Sequence, residues 1–358
     1  MSAISPAAVE TLQRRPTLLA REGYVELLTV HGAPRLDFDA VAARLAELPP
    51  PLGALLSLFY LRDEVSDGAL APALDEADLD ELAEMGVLLR QHGKVSTGGL
   101  CALPLFGQLV FVPAPGQASD AYFGDDSAEL AQRITPAHHA RCLDLQAGPG
   151  HLAVRCAALA AHVVAVDPSP VAVACAELNA MLNGVSERME VRQGTLDSVL
   201  ASGERFDFVV AQPATLPFSP GFPATGRHDP DDDGTLPLRR ILGALPDLLE
   251  PDGLAQLSAS VPGGDAGPGL RSALAELAAA RGLAIHITLL RRASLAPEAA
   301  LFDYLALRCR RPGSSDHAEA RARLGENFTA RGVRWLYWLA LSAARSAHAG
   351  VKVTPLAS

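Results

Sequence analysis

Positive charge is in short supply: 30 Lys and Arg against 41 Asp and Glu give a formal net charge of -11. The chain as a whole therefore has no attraction for a phosphate backbone, which disfavours rRNA, tRNA or DNA as a partner. Its short basic runs, Arg14 with Arg15, Arg239 with Arg240, and Arg308 with Arg310 and Arg311, are scattered and read as solvated surface. Cysteine is sparse as well. Cys101, Cys142, Cys156, Cys175 and Cys309 lie far apart with no CxxC pair, and although His138 and His139 sit near Cys142, no second ligand pair completes a metal site. No metal is expected, and an odd number of thiols fits reduced, buried side chains in a reducing compartment. Long apolar runs are also missing. The N-terminus, MSAISPAAVETLQRRP, has no apolar signal core, and Gly and Pro break the charge-free stretch 95–119, so the chain reads as cytoplasmic, without membrane contact.

What the chain does have is an ordinary globular core, 49% hydrophobic and 20% charged, and enough length for a catalytic domain and a smaller one. Residues 1–113 read as helices followed by a hairpin. Apolar positions recur at helical spacing over 36–48 and 53–61, and 75–96 predicts a capped helix, a strand, a His92-Gly93 turn and a second strand. The helix of this mainly helical, winged-helix-like domain, Asp75 to Met85, is acidic where a DNA-reading helix needs Lys or Arg. A substrate-covering or dimerising role is expected, which leaves a homodimer open. The Pro/Gly/Ser-rich stretch 112–120 marks a boundary, and a second domain spans 120–358. There strands are expected at 140–145, 162–167, 189–194, 206–212, 253–261 and 283–292, with helices at 151–160, 171–182, 236–249 and 269–281. Strands this apolar, mostly separated by helices, imply an α/β fold with a mostly parallel sheet covered on both faces. The Trp/Tyr/Leu stripe of 332–350 has helical spacing and reads as core or dimer packing, and the polar segments 230–234 and 312–323 as loops or helix caps.

The first strand-to-helix turn is the informative place. An apolar strand ends at Asp144-Leu145 and enters Gln146-Ala147-Gly148-Pro149-Gly150, small residues that let a ligand approach the backbone, before a helix whose first N–H groups favour a carboxylate or phosphate. The second strand ends in Asp167, about 23 residues beyond Asp144, the position of an acid that accepts from ribose hydroxyls. Ser169 and Pro170 supply an N-cap and first-turn proline, and Asn183-Gly184 closes that helix. After strand three, Asp197 stands at the sheet's carboxyl edge and can accept from an adenine amino group. After strand four, Gln212-Pro213 turns an amide towards the ligand's reactive end. Four sites on consecutive strand ends define the crevice where open α/β sheets bind ligands.

The runs LDLQAGPG, VVAVDPSPVAVACAELNAMLNGV, VRQGTLDSV and FDFVVAQPATLPF together resemble the class I S-adenosylmethionine (SAM)-dependent methyltransferases. They are most similar to the branch of the release-factor glutamine methyltransferases and related small-domain methylases, where a segment like YFGDDSAELAQRI (122–134) closes over SAM. The resemblance covers about residues 50–310. It implies a Rossmann-like, seven-stranded class I methyltransferase sheet, with SAM as methyl donor and S-adenosylhomocysteine as product. It also implies roles: Asp144, Ala147, Gly148 and Gly150 line the methionine end, Asp167 holds the ribose, and Leu196 and Asp197 the adenine. Tyr122, Phe123 and Ser127 form part of the covering edge, and Gln146, Pro168 and Gln212 belong to the same cofactor-binding set.

Two positions depart from the family pattern. The usual first glycine of the turn is Gln146, whose backbone must avoid a glycine-only conformation or accept strain. Amide- and amine-methylating members carry Asn-Pro-Pro-Tyr/Phe after strand four, whereas this chain has Gln212-Pro213-Ala214-Thr215, so methylation of a protein glutamine is not expected. Together with the acidic charge, that change points to a small-molecule acceptor, such as a secondary metabolite; protein or RNA methylation is the alternative. Transfer from an activated sulfonium needs mainly positioning. Gln212 is expected to position the acceptor. His228 is the candidate base, beside Asp229, Asp231, Asp232 and Asp233 in a Pro-rich, lid-like loop at 215–236. His138, His139 and His162 read as structural, and so does His151, although it directly follows the turn and could touch ligand. Two other classes stay open: a non-catalytic SAM-binding or interaction protein, motivated by Gln146, and an NAD-dependent dehydrogenase, because residues Gly148 to Ala153 satisfy the loose GxGxxG/A pattern.

Overall fold

The computed structural model describes residues 23–24, 27–28, 38–84, 86–113, 121–213, 215, 234–308 and 317–355. These fall into two units, Met1–Thr195 and Leu196–Ser358. Most of the expected boundary at 112–120 and of the loop at 215–236 lies outside the described residues.

In the first unit, α1 (Phe38–Arg44) and α2 (Pro50–Leu56) precede β1 (Val65–Ser66), α3 (Asp67–Leu70), α4 (Glu76–Glu84), β2 (Leu89–Gln91) and β3 (Lys94–Ser96). Prolines open α2, where a missing N–H costs nothing, and Leu52, Leu55 and Leu56 form its buried face. β3 lies between β1 and β2, antiparallel to both. His92 and Gly93 both take positive φ, 53° and 72°, as a two-residue hairpin turn of this kind requires. This is the strand order of a wing. Arg90 of β2 pairs with Asp67, Glu76 and Asp80 together, tying the acidic face of α4 to the wing.

A hairpin that the sequence did not announce follows: β4 (Leu100–Leu105) and β5 (Gln108–Pro113), almost wholly buried and joined at Phe106-Gly107. Then come α5 (Asp125–Arg133), β6 (Arg141–Leu145), α6 (His151–Ala157), β7 (His162–Asp167), α7 (Pro170–Leu182) and β8 (Met189–Gln193). The last three strands are parallel, in the order β6-β7-β8. Two asparagines one turn apart on α7 serve the open edge of β5. Phe111 N–H donates to Asn179 Oδ1 (2.7 Å) and Asn179 Nδ2 returns a bond to the Phe111 carbonyl (2.7 Å); Leu109 and Asn183 repeat the exchange at 3.1 and 2.8 Å. Side-chain amides thus stand in for a neighbouring strand. Asn179 Nδ2 also donates to the Pro149 carbonyl (2.8 Å), which joins the hairpin to the glycine-bearing turn. Asn179→Leu would leave one N–H and two carbonyls buried without this partner, and is expected to lower stability by about 3 kcal/mol. Urea unfolding checks this; a loss below about 1 kcal/mol would show the amide bridge to be dispensable.

The second unit runs α8 (Leu196–Ser202), β9 (Phe206–Ala211), α9 (Leu236–Leu248), β10 (Leu249–Gly264), β11 (Gly267–Pro268), α10 (Arg271–Arg281) and β12 (Leu283–Ser294), then α11 (Ala300–Arg308), α12 (His317–Ala330), β13 (Trp335–Arg345) and β14 (Gly350–Thr354). β9 and β10 are parallel, β13 enters antiparallel between β10 and β12, and β14 runs parallel to β12. The stripe at 332–350 is therefore strand, not helix. Flanked on both sides by long strands, β13 takes an apolar run that mimics helical spacing. Much of 312–323 belongs to α12 rather than to a loop, and α11 and α12 close a cluster of Leu295, Phe302, Leu305, Leu324, Phe328 and Leu336. Leaving aside the two-residue β11 and counting from β6, the first unit orders its strands one-two-three and the second four-five-seven-six. Each is the corresponding part of the Rossmann-like class I order; β14 is an edge strand beyond the seven expected.

Candidate functional site

β6 carries Asp144 to the end of its buried run, and the turn beyond it is closed upon itself. Ala147 N–H donates to the Val166 carbonyl (3.1 Å), Gly148 N–H to Asp167 Oδ2 (2.9 Å) and Gly150 N–H to the Ala147 carbonyl (2.9 Å), while Pro149 has no N–H. The turn's own amides from 147 to 150 are thus already used, which leaves the first N–H groups of α6, beginning at His151, as the backbone donors next to the turn. The backbone passes through positive φ at Gln146 (61°), Gly148 (55°) and Gly150 (74°). Gln146 thus adopts the conformation a glycine would, at a strain on the order of 1 kcal/mol, with its side chain exposed. A Cβ on Gly148 would lie 3.3 Å from the Tyr122 carbonyl oxygen, and one on Gly150 only 2.7 Å from the Ala176 Cβ.

Asp167 ends β7. Its Oδ1 accepts from Ser169 N–H (2.9 Å) and its Oδ2 from Gly148 N–H, which fixes the carboxylate at the strand tip. Ser169 caps α7 as expected, and the Pro168 carbonyl accepts from Gln193 Nε2 (3.1 Å). Asp144 stands in a different environment. It is 0% exposed, and neither carboxylate oxygen has a hydrogen-bond partner among the described residues. Burial pushes its carboxyl up to about 8, and the charge of Asp167 acts in the same direction; a contact with the backbone of Ala153, too loose to count as a hydrogen bond, opposes both.

His151 opens α6, 5% exposed, and both of its ring nitrogens lack a partner among the described residues. Burial pushes its imidazole down to about 3, opposed by a contact with the Ser127 backbone that falls outside hydrogen-bond geometry, so it is neutral at ordinary pH. Its ring meets Phe123 edge-on, with centroids 5.0 Å apart. Phe123 and Ser127 are buried, and Ser127 Oγ accepts from Gly124 N–H (3.2 Å). Tyr122 is exposed, and its hydroxyl donates to Asp126 (2.8 Å). The first unit therefore brings together Asp144, the 146–150 turn, His151, Asp167 and the 122–127 segment.

In the second unit, Leu196 and Asp197 start α8, and the exposed Asp197 carboxylate is held by Arg240 of α9 at 2.8 and 3.1 Å. Gln212 follows β9, half-buried, its Nε2 without a partner among the described residues. Buried Thr215 accepts from Ser260 N–H of β10 (2.8 Å), pinning the segment after β9. His228, its neighbouring aspartates and Ala214 lie outside the described residues. Sequence reasoning missed the Asn179 bridge, although the NAMLN spacing places two amides on one helix face, and it missed Arg240. The four described cysteines are free and buried. Among the described residues no helix is long and apolar enough to cross a membrane, and no cluster of three His, Cys, Asp or Glu could hold a metal ion.

A family model described as a methyltransferase domain matches residues 142–221, the stretch carrying Asp144, the turn, Asp167, Asp197 and Gln212. Similar proteins include the tRNA1(Val) (adenine(37)-N6)-methyltransferase of Porphyromonas gingivalis, 32% identical over 148 residues, 40% of this chain and 55% of the relative. The release factor glutamine methyltransferase of Geobacter sulfurreducens is 32% identical over 159 residues, 41% of this chain and 55% of the relative. The chain spans about half the length of the curated relatives it matches. Among solved structures, Trm5b from Pyrococcus abyssi is similar at a TM-score of 0.42 and 16% identity, over 72% of this chain and 62% of that one. Residues 142–221 thus match a methyltransferase domain, and members of the glutamine-methylating branch named from the motifs are among the proteins the chain is similar to.

Proposed function

We propose that this protein is a SAM-dependent methyltransferase whose acceptor is a group on RNA or protein. One observation carries the donor side: Asp144, on the strand that leads into the turn and within the stretch the methyltransferase model matches, is fully buried with no hydrogen-bond partner among the described residues. Such a group is costly in a folded chain unless a ligand completes it. The ammonium of SAM's amino-acid end fits that role, Asp167 would take the ribose hydroxyls, and Asp197, oriented by Arg240, the adenine amino group. SAM when bound supplies a methyl group already activated on a sulfonium, so the protein's part is positioning. Gln212 would orient the acceptor through its unpaired amide, with Thr215 and Ser260 stiffening the segment behind it.

For the acceptor, the relatives whose names speak of a tRNA adenine and of release-factor glutamine favour a macromolecule. The small-molecule acceptor suggested by net charge and the altered Gln212-Pro213 motif has less support. Incubation with methyl-tritiated SAM and three pools, total tRNA, ribosomal proteins with release factors, and a metabolite extract freed of both, tests this reading. Label in the tRNA or protein pool is expected. Label confined to the metabolite extract would overturn the macromolecular acceptor, and label in none, from a chain that binds SAM, would overturn the catalytic reading.

A further inference from the structure

The amino-acid end of SAM carries a carboxylate as well as an ammonium, and the turn has little to offer it. The amides of Ala147, Gly148 and Gly150 are bonded internally and Pro149 has none, so backbone donors begin only with the first turn of α6 at His151. The two segments that meet at the turn, 121–129 and 144–151, contain four acids, Asp125, Asp126, Glu129 and Asp144, and no Lys or Arg. Arg155, one helical turn further on, lies over the Phe106 ring at 5.3 Å. Besides the exposed Gln146 amide, these segments hold one buried side chain that can donate to an anion and lacks a hydrogen-bond partner among the described residues: His151, packed against Phe123 directly after Gly150.

Resting on the donor reading above, we propose that the His151 imidazole binds the carboxylate of the donor's amino-acid end while Asp144 takes its ammonium. The two orphaned groups are complementary to a zwitterion, and to neither of its charges alone. A neutral imidazole donates from one nitrogen without requiring the chain to bury a permanent cation beside Asp144 and Asp167. Phe123 confines the ring, so the covering segment and the anion contact are coupled through one side chain. His151 is then a ligand-binding residue, the alternative its place directly after the turn left open beside a structural role.

Calorimetric titration of the full chain with S-adenosylhomocysteine, with its decarboxylated analogue and with methylthioadenosine, which lacks the amino-acid end, tests the assignment. His151→Phe is expected to weaken S-adenosylhomocysteine binding by about 10- to 100-fold, the scale of a hydrogen bond to a charged group, and to change binding of the other two by less than about twofold. His151→Gln, which keeps a donor, should recover most of the loss. Equal weakening of all three ligands, or none of any, would overturn the proposal, since a purely structural ring cannot distinguish a carboxylate from its absence. Wild-type protein that binds none of the three would overturn the donor reading itself, whereas wild-type binding with an indiscriminate His151→Phe variant would overturn this inference alone.

Discussion

Asp144→Asn is expected to stabilise the ligand-free chain at pH 8 by about 2 kcal/mol and to lower its affinity for S-adenosylhomocysteine about 100-fold. Both effects have one cause. The Asp144 carboxyl is raised from 3.8 to about 8 by burial, so between those values the folded chain holds a proton that the unfolded chain has released. Stability contributed at this position is therefore complete below the ordinary carboxylate range, falls as pH rises towards 8, and levels off above it. The whole shift would correspond to at most about 6 kcal/mol, and relaxation around the charge leaves the smaller figure. An amide at this position does not ionise, so the variant should show a flatter pH profile. It also has no charge to offer an ammonium. Urea unfolding at pH 5 and pH 8, with titration of the same samples, reads both effects; a variant that is destabilised at pH 8, or that binds normally, would mean that Asp144 is held by contacts other than those described.

Gly150→Ala should be costly for a different reason. At φ 74° an L-residue is strained, and the added Cβ would stand 2.7 Å from the Ala176 Cβ and 3.1 Å from the Met189 Cε, so α7 and β8 would have to move away from the turn. A loss of about 3 kcal/mol is expected from strain and overpacking together. Gly203 separates the two terms, having nearly the same φ (71°) and nothing within 4 Å of the point a Cβ would occupy. Gly203→Ala should lose about 1 kcal/mol. Denaturant unfolding of the pair isolates the steric part as their difference. Equal losses would show that close packing of α7 on the turn does not constrain position 150.

The α/β elements nearest the site were legible because their signals are local. Strands β6 and β7 are unbroken apolar runs that end in acids, Ser169-Pro170 announces α7, and the observed strands β6 to β9 begin and end within a residue of expectation. Asp167 could be placed at its strand end by its spacing from Asp144. What failed depends on neighbours distant in sequence. WLYWLALSAAR satisfies a helical stripe and a doubly flanked strand equally well, and only pairing with β10 and β12 decides between them. The β4–β5 hairpin turns at Phe106-Gly107, where phenylalanine at φ 51° is not a turn residue one would choose, and Asn179 and Asn183 support it from about 70 residues away. For the site, residue types were readable but their states were not. That Asp144 and His151 lack hydrogen-bond partners among the described residues, that Asp197 is held by Arg240, and that the turn amides are already used are facts of packing. They are what the proposals for Asp144 and His151 rest on.

Isothermal titration of the full chain with S-adenosylhomocysteine is the most direct test of the donor assignment. Saturable, one-to-one binding with a Kd on the order of micromolar is predicted, because a zwitterionic ligand completes two buried groups and Gln146 already holds the backbone conformation of the missing glycine. Absence of binding by a folded chain would contradict the donor assignment at its centre, leaving Asp144 and His151 buried for a reason unrelated to SAM.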